Sequence, residues 1–199
     1  MTTPVPNATR STRAVDVNQR FYDALWATGS LTPPQRFNTW PLLSALADAA
    51  AARLEIGPGL RPRLPMSGTC FADVSAPALV QVRAHQGYAT RAEITALPFP
   101  DSAFDLVCAF DIVEHVEDDR QVFREITRVA RDGAAIVFSV PLQPRRWSNF
   151  DALVGHVRRY EVRIAIGIIV AVALVLYLMR RRRVGEEVVD ALERERRSR

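Results

Sequence analysis

What constrains this chain most is a repeated alternation, between about residues 40 and 140, of short apolar runs with amphipathic helical stretches. Arg53–Ile56 is a short apolar run closed by Gly57-Pro58-Gly59. Thr69–Val74, Ala89–Ile94, Phe104–Phe110 and Ala134–Val140 follow as four further predicted strands. The spacing predicts a helix over Trp40–Ala52 ahead of the first strand, with Leu42, Leu43, Leu46 and Ala50 on one stripe, and another over Ala76–His85. A third begins at Asp118 or Asp119 and presents Val122, Phe123, Ile126, Val129 and Ala130 on one face. The Phe104–Phe110 run is almost wholly apolar, as a strand covered on both faces must be. Strands alternating with helices imply parallel pairing with right-handed crossovers, so the expected fold class is a doubly wound, Rossmann-like α/β sheet.

Composition limits the functions available to such a sheet. At 199 residues there is room for one α/β domain and a tail, and 48% apolar with 24% charged side chains is ordinary for a globular protein. The formal charge of +4 equals the contribution of one block, Arg180–Arg183, so it is no footprint for nucleic acid. Every basic side chain is arginine, a bias of GC-rich bacterial genes. Cys70 and Cys108 lack both disulfide context and metal-ligand spacing, and no metal-ligand set is predicted. Residues 1–14, rich in Thr, Pro and Ser, are expected to be disordered and hold no signal peptide. A short helix is expected over Val15–Ala27, and together with Arg36–Trp40 it is placed either in the core or as a lid.

In a doubly wound sheet, ligands bind beyond the carboxyl ends of the strands where the strand order reverses. The Gly57-Pro58-Gly59 turn lets a ligand approach bare backbone. A dinucleotide fingerprint needs a third glycine where Pro62 stands, so a pyrophosphate cofactor is disfavoured. Asp73, roughly 20 residues beyond the first strand, sits where a carboxylate can accept both hydroxyls of a ribose.

Four segments then add a resemblance. Leu97–Val107, reading LPFPDSAFDLV, and Asp111–Val116, reading DIVEHV, are similar to stretches of class I S-adenosylmethionine-dependent methyltransferases. So are Phe123–Val129 with Gly133, and the Gly155–Tyr160 loop GHVRRY, which resembles one bacterial branch. The resemblance implies S-adenosylmethionine as cofactor. It would set Glu55, Gly57 and Gly59 around the methionine end, Asp73 on the ribose, Glu93 near the adenine amino group, and Asp111 beside the methionine moiety. His115 would be the catalytic base, and His156, Arg158, Arg159 and Tyr160 would face the acceptor, a small or lipid-linked molecule. The sequence departs from the family pattern at Arg61, where a third glycine is usual, and at Glu93, where aspartate is usual. The alternative is a degenerate, inactive domain with an interaction role only.

After the predicted domain at 15–160, the family's last two strands have no counterpart. Instead Ile164–Met179 is unbroken apolar sequence bounded by arginines. A single membrane-spanning helix over 164–179 is expected, with the domain cytoplasmic, a charged tail over 180–199 and the orientation left open by arginines on both flanks. A buried helix or a strand are the alternatives for that segment, and a cytoplasmic protein the alternative location.

Overall fold

A computed structural model describes residues 20–174 and Arg194. The expectations for 1–14, for 175–179 and, apart from Arg194, for the tail lie outside these residues. Helix α1 runs over 20–27, followed by a 3-10 turn at Pro34–Arg36 and α2 at Trp40–Ala49. Then come β1 (Arg53–Ile56), β2 (Thr69–Asp73), α3 (Ala76–Ala84), β3 (Tyr88–Arg91), β4 (Phe104–Phe110), a 3-10 turn at Val113–His115, α4 (Asp119–Val129) and β5 (Ala130–Ser139). A 3-10 turn at Pro144–Arg146, α5 (Asn149–Leu153) and a helix α6 over 162–174 complete the described chain. The five strands form one sheet in the order β3-β2-β1-β4-β5, and every pairing is parallel. This is the expected doubly wound sheet, and its order reverses between β1 and β4.

Side chains alternate across a strand with a period of two. In β4, Leu106 and Cys108 pack with Leu43, Ala47 and Leu64 on the α2 face. Val107 and Ala109 pack with Val122, Ile126 and Val129 of α4 on the other. Leu42, expected on the buried stripe of α2, is 60% exposed, because the stripe that meets the sheet runs through Leu43 and Ala47. Asp105 breaks the apolar run of β4 and is accommodated at its start. Its Oδ2 accepts from the Ala52 N–H at 2.9 Å, and the Arg131 guanidinium donates to both oxygens at 2.9 and 2.8 Å, holding its pKa below the usual range. Asp118 caps α4 by accepting from the Gln121 N–H at 3.0 Å, and Ser75 caps α3 through the Ala78 N–H. Both cysteines are free thiols.

Element boundaries differ from expectation where tertiary hydrogen bonds intervene. Helix α2 stops at Ala49, three residues early, because Ala52 is already tied to Asp105. Strand β3 ends at Arg91, since the Ala92 N–H reaches back to the Asp73 carbonyl and Glu93–Ala96 closes a turn. Strand β5 starts at Ala130, directly at the end of α4, and a register shift between the Phe104 and Leu106 pairings absorbs residues 131–134.

The membrane span expected over 164–179 is not supported. Among the described residues no helix is long and apolar enough to cross a membrane. The described part instead lies beside β5, with Ile168 packed on the main core and Val172 buried. A shallow hollow of about 350 Å³ between α6 and β5 is lined by Ile136, Val137, Phe138, Ile169, Val172 and Ala173.

Gly133, in the β5 irregularity, has φ +81° with nothing within 4 Å of where a Cβ would stand. Gly133→Ala therefore carries only the backbone cost of a left-handed alanine, ~1 kcal/mol. Urea denaturation should show that loss with an unchanged m-value.

Candidate functional site

The carboxyl ends of β1, β2 and β4 converge on one region, and two buried carboxylates organise it. Glu55, the penultimate residue of β1 and 1% exposed, accepts from the Arg63 N–H at 2.9 and 3.0 Å and from the Leu64 N–H at 2.8 Å. Burial pushes its pKa up to about 7, against the pull of the Leu64 and Arg63 backbone N–H groups. Asp73, the last residue of β2, accepts from the Gly59 N–H at 2.9 Å through Oδ2 and from the Ser75 N–H at 2.8 Å through Oδ1. Burial raises its pKa as well, against the Ser75 and Gly59 backbone bonds. The segment 57–64 is thus clasped at both ends, and Gly57 adds an N–H bond to the Ala72 carbonyl at 2.8 Å.

Gly57 and Gly59 adopt φ +68° and +51°. A Cβ on Gly57 would meet Ile112 at 2.9 Å, and one on Gly59 would meet the Trp26 ring at 2.9 Å. Bare backbone is required on both counts, and the turn is roofed by Ile112 and α1. Trp26 stacks on Tyr22 with centroids 5.7 Å apart, and the Tyr22 hydroxyl donates to the Val154 carbonyl at 3.2 Å. Helix α1 therefore lies over the turn and takes part in the site. Asp23 of the same helix has a buried, unpartnered Oδ1 and acts electrostatically on Asp73.

Asp111, directly after β4, is exposed and left-handed at φ +51°. The turn is held by Ser139, whose carbonyl and hydroxyl accept from the Asp111 N–H at 3.1 and 3.2 Å, while the hydroxyl donates to Oδ1 at 2.7 Å. Arg63 stands 4.0 Å from Asp111 and over the Phe37 ring at 3.9 Å. Arg61, at the position of the usual third glycine, also lies over Phe37, at 5.4 Å. Glu93 is exposed just beyond β3, next to Ala92, whose N–H bonds the Asp73 carbonyl.

On the other side of Tyr22 lies a second cluster. Tyr22 feels both Glu114 and Asp73, and burial followed by these two charges raises its pKa to about 12. Its ring meets His115 edge-on at 5.7 Å, and His115 meets His156 edge-on at 4.7 Å. Glu114 is 1% exposed, with Oε2 unpartnered and Oε1 3.8 Å from His156 Nε2. Burial raises the Glu114 pKa to about 8 and lowers that of His115 to about 4, the latter helped by His156. The Val157 N–H donates to the Glu114 carbonyl at 2.8 Å, so the 155–160 loop docks on the 3-10 turn after β4.

Within that loop, His156 is brought to the site, whereas its neighbours are engaged inward. Arg158 Nη1 donates to Asp119 Oδ2 at 2.7 Å and its other Nη to the Glu117 carbonyl. Arg159 grips both oxygens of Asp151, at 2.6 and 3.0 Å. The Tyr160 hydroxyl donates to Asp119 at 3.1 Å, and Tyr160 itself is buried. Asp151, fully buried, was missed in the sequence reading. It caps α5 from its N3 position, binds His156 Nδ1 at 2.9 Å, and is held well below the usual carboxylate range chiefly by Arg159. The Ser148-x-x-Asp151 spacing, a capping-box pattern, was its available signal.

Glu55 also makes stability depend on pH in a definite direction. The unfolded carboxyl releases its proton near 4.5, while the folded one holds it to about 7. Native protein therefore binds more protons in that window, so stability is greatest below it and falls as pH rises through it, by ~3 kcal/mol. Urea midpoints at pH 4.5 and 7.5 should show this loss in the wild type. The difference should shrink by that amount in Glu55→Gln, which does not titrate.

With this geometry in view, residues 63–138 match the family described as Methyltransferase domain. A stretch of 41 residues is 46% identical to ajmaline N-methyltransferase of Rauvolfia serpentina, covering 21% of this chain and 14% of that protein. Over 69 residues the chain is 33% identical to a probable S-adenosylmethionine-dependent methyltransferase of Mycobacterium tuberculosis, covering 35% of this chain and 25% of the relative. The chain thus spans a quarter or less of the curated relatives' own length. Among solved structures, an S-adenosylmethionine-dependent methyltransferase from Mesorhizobium loti superposes with TM-score 0.54 at 19% identity, covering 70% of this chain and 82% of that one. The [4+2]-cyclase SpnF superposes with TM-score 0.57 at 18% identity, covering 78% and 70%. Residues 63–138 thus match the Methyltransferase domain family, and the fold of the described residues is similar to that of solved methyltransferases.

Proposed function

We propose that this chain binds S-adenosylmethionine at the carboxyl ends of β1 and β2 and transfers its methyl group to a small-molecule acceptor held at the His115–His156 side. The observation that carries the reading is the pairing of a glycine turn with Asp73, one tyrosine ring away from a buried Glu-His-His cluster. The polar groups suit a nucleoside with an amino-acid tail. Asp73 keeps acceptor capacity beyond its two N–H bonds, and the orphaned Asp23 Oδ1 beside it needs a donor such as a hydroxyl or ammonium. Gly57 and Gly59 would admit the methionine end once Trp26 and Ile112 shift, with Glu55 holding the loop and Asp111 at its rim. Glu93 would lie toward the adenine.

When bound, the cofactor supplies a methyl group already activated by its sulfonium, so the chain's task is positioning and exclusion of water. Tyr22 and Trp26 serve the latter as the roof of the site. His115, uncharged at neutral pH, would accept a proton only from an acidic acceptor, since its pKa is near 4. Arg158, Arg159 and Tyr160 would act by fixing the loop that delivers His156. That fold alone does not assign methyl transfer is plain from the cyclase named above.

Two features favour further readings. The roofing of the glycine turn by Trp26 and Ile112 favours an inactive, interaction-only domain. Exposed Ile164, Ile166, Ile169, Val170 and Leu174 favour a lipid-linked acceptor or a membrane surface, which binding of the whole chain to phospholipid vesicles would test.

Calorimetric titration of the folded chain with S-adenosylmethionine decides the main proposal. Binding is expected, weakened ~10- to 100-fold by Asp73→Asn, because hydrogen bonds to a charged group are lost. Absence of heat from folded wild type overturns the reading in favour of the inactive domain.

A further inference from the structure

Glu114, His115 and His156 come from two distant segments, the turn after β4 and the loop after α5, and each offers one ligand atom within 4.8 Å of the others. Their hydrogen bonding is unusual for so buried a group. His156 Nδ1 faces Asp151 Oδ1 at 2.9 Å, and Asp151 accepts in addition from Arg159 and from the Ser148 N–H and hydroxyl. Surrounded by donors, Asp151 is an acceptor, so His156 carries its proton on Nδ1 and turns the Nε2 lone pair inward. What Nε2 meets is Glu114 Oε1 at 3.8 Å, too far for a hydrogen bond. Glu114 Oε2 has no partner in a side chain that is 1% exposed, and His115 Nδ1 is likewise buried and unpartnered. Three potential ligand atoms thus gather with no hydrogen bond between them. The unpartnered Glu114 Oε2 and His115 Nδ1 are left with a desolvation cost that a ligand between them would offset.

We propose that Glu114, His115 and His156 form a binding site for one divalent first-row transition-metal ion, with Asp151 as the carboxylate that orients His156. Two imidazoles and one carboxylate are a donor set that suits zinc or ferrous iron, and Mg²⁺ or Ca²⁺ poorly. A carboxylate on the far nitrogen of a ligating histidine is the usual second partner of such sites, fixing tautomer and ring angle. Arg159, by gripping Asp151, holds that partner ionised and in place. Three protein ligands leave a coordination position open, which would take an anionic oxygen or sulfur of the acceptor. That use rests on the methyl-transfer reading, whereas metal binding itself does not. The site gives His115 a ligand's part in place of a base's.

The test uses the full chain, freed of metal by chelator, and Co²⁺ as the probe. One equivalent of Co²⁺ should bind, with visible d–d absorption of a low-coordinate nitrogen–oxygen site, and Zn²⁺ should displace it while excess Mg²⁺ does not. Glu114→Gln and His115→Gln should abolish the absorption, and Asp151→Asn should weaken Co²⁺ ~10- to 100-fold without abolishing it. A Cys70→Ser/Cys108→Ser variant should bind as the wild type does. Should the ligand variants fail to fold, wild type still decides the matter, because Zn²⁺ must raise its Tm in proportion to binding. No stoichiometric Co²⁺ binding by folded wild type, or binding indifferent to all three site variants, overturns the proposal. Since no cofactor enters this measurement, a metal-binding chain that gives no heat with S-adenosylmethionine would separate the two proposals.

Discussion

The segment between β1 and β2 is long, glycine- and proline-rich, and has no helix or strand of its own, yet it must present bare backbone at one spot. Two buried acids make that possible. Glu55 closes its far end through Arg63 and Leu64, and Asp73 closes its near end through Gly59. Each carboxylate is desolvated, and each offsets that cost with backbone N–H groups that would themselves have been orphaned. Both acids thus hold the turn whose glycines lie against Ile112 and Trp26. The roof and the ends of β1 and β2 are coupled through these side chains.

Much of the fold was legible because burial on both faces leaves a plain signature. The runs RLEI and FDLVCAF became β1 and β4 with the expected bounds, and the α4 stripe landed on the core through Val122, Ile126 and Val129. Edges were less legible. The end of β3 and the start of β5 depend on hydrogen bonds to Asp73 and on a register shift opposite Phe104, neither of which periodicity encodes. Leu42 misled because a helix of ten residues can offer two adjoining apolar stripes, and only the partner sheet selects one. Nor does the apolar run 164–179 name its own partner. Hydropathy cannot distinguish a lipid-facing helix from one lying beside an edge strand, as 162–174 does beside β5.

The site was legible in outline and opaque in its wiring. Glycines after β1 and an acid after β2 were visible as spacing, and the structure brings Glu55, Gly57, Gly59 and Asp73 into direct contact or near it. The basic loop was expected to face the acceptor as a whole, because a sequence shows charges but not the acids that answer them. Asp119 and Asp151 absorb Arg158 and Arg159, and His156 is left facing Glu114 and His115. Only the folded chain shows that residues some forty positions apart share one buried pocket of lone pairs.

The junction at which α4 passes straight into β5 reaches further than its own neighbourhood. Strand side chains alternate, so slipping β5 by a single position would exchange every inward group for an outward one. The hydroxyl of Ser139, which clamps the left-handed bend at Asp111, would be replaced by the hydrocarbon of Phe138 or Val140. The extra residues looped out around Gly133 thus behave as the vernier of the sheet. They set, at the amino end of the last strand, the alignment on which the bend at Asp111 depends at the opposite end.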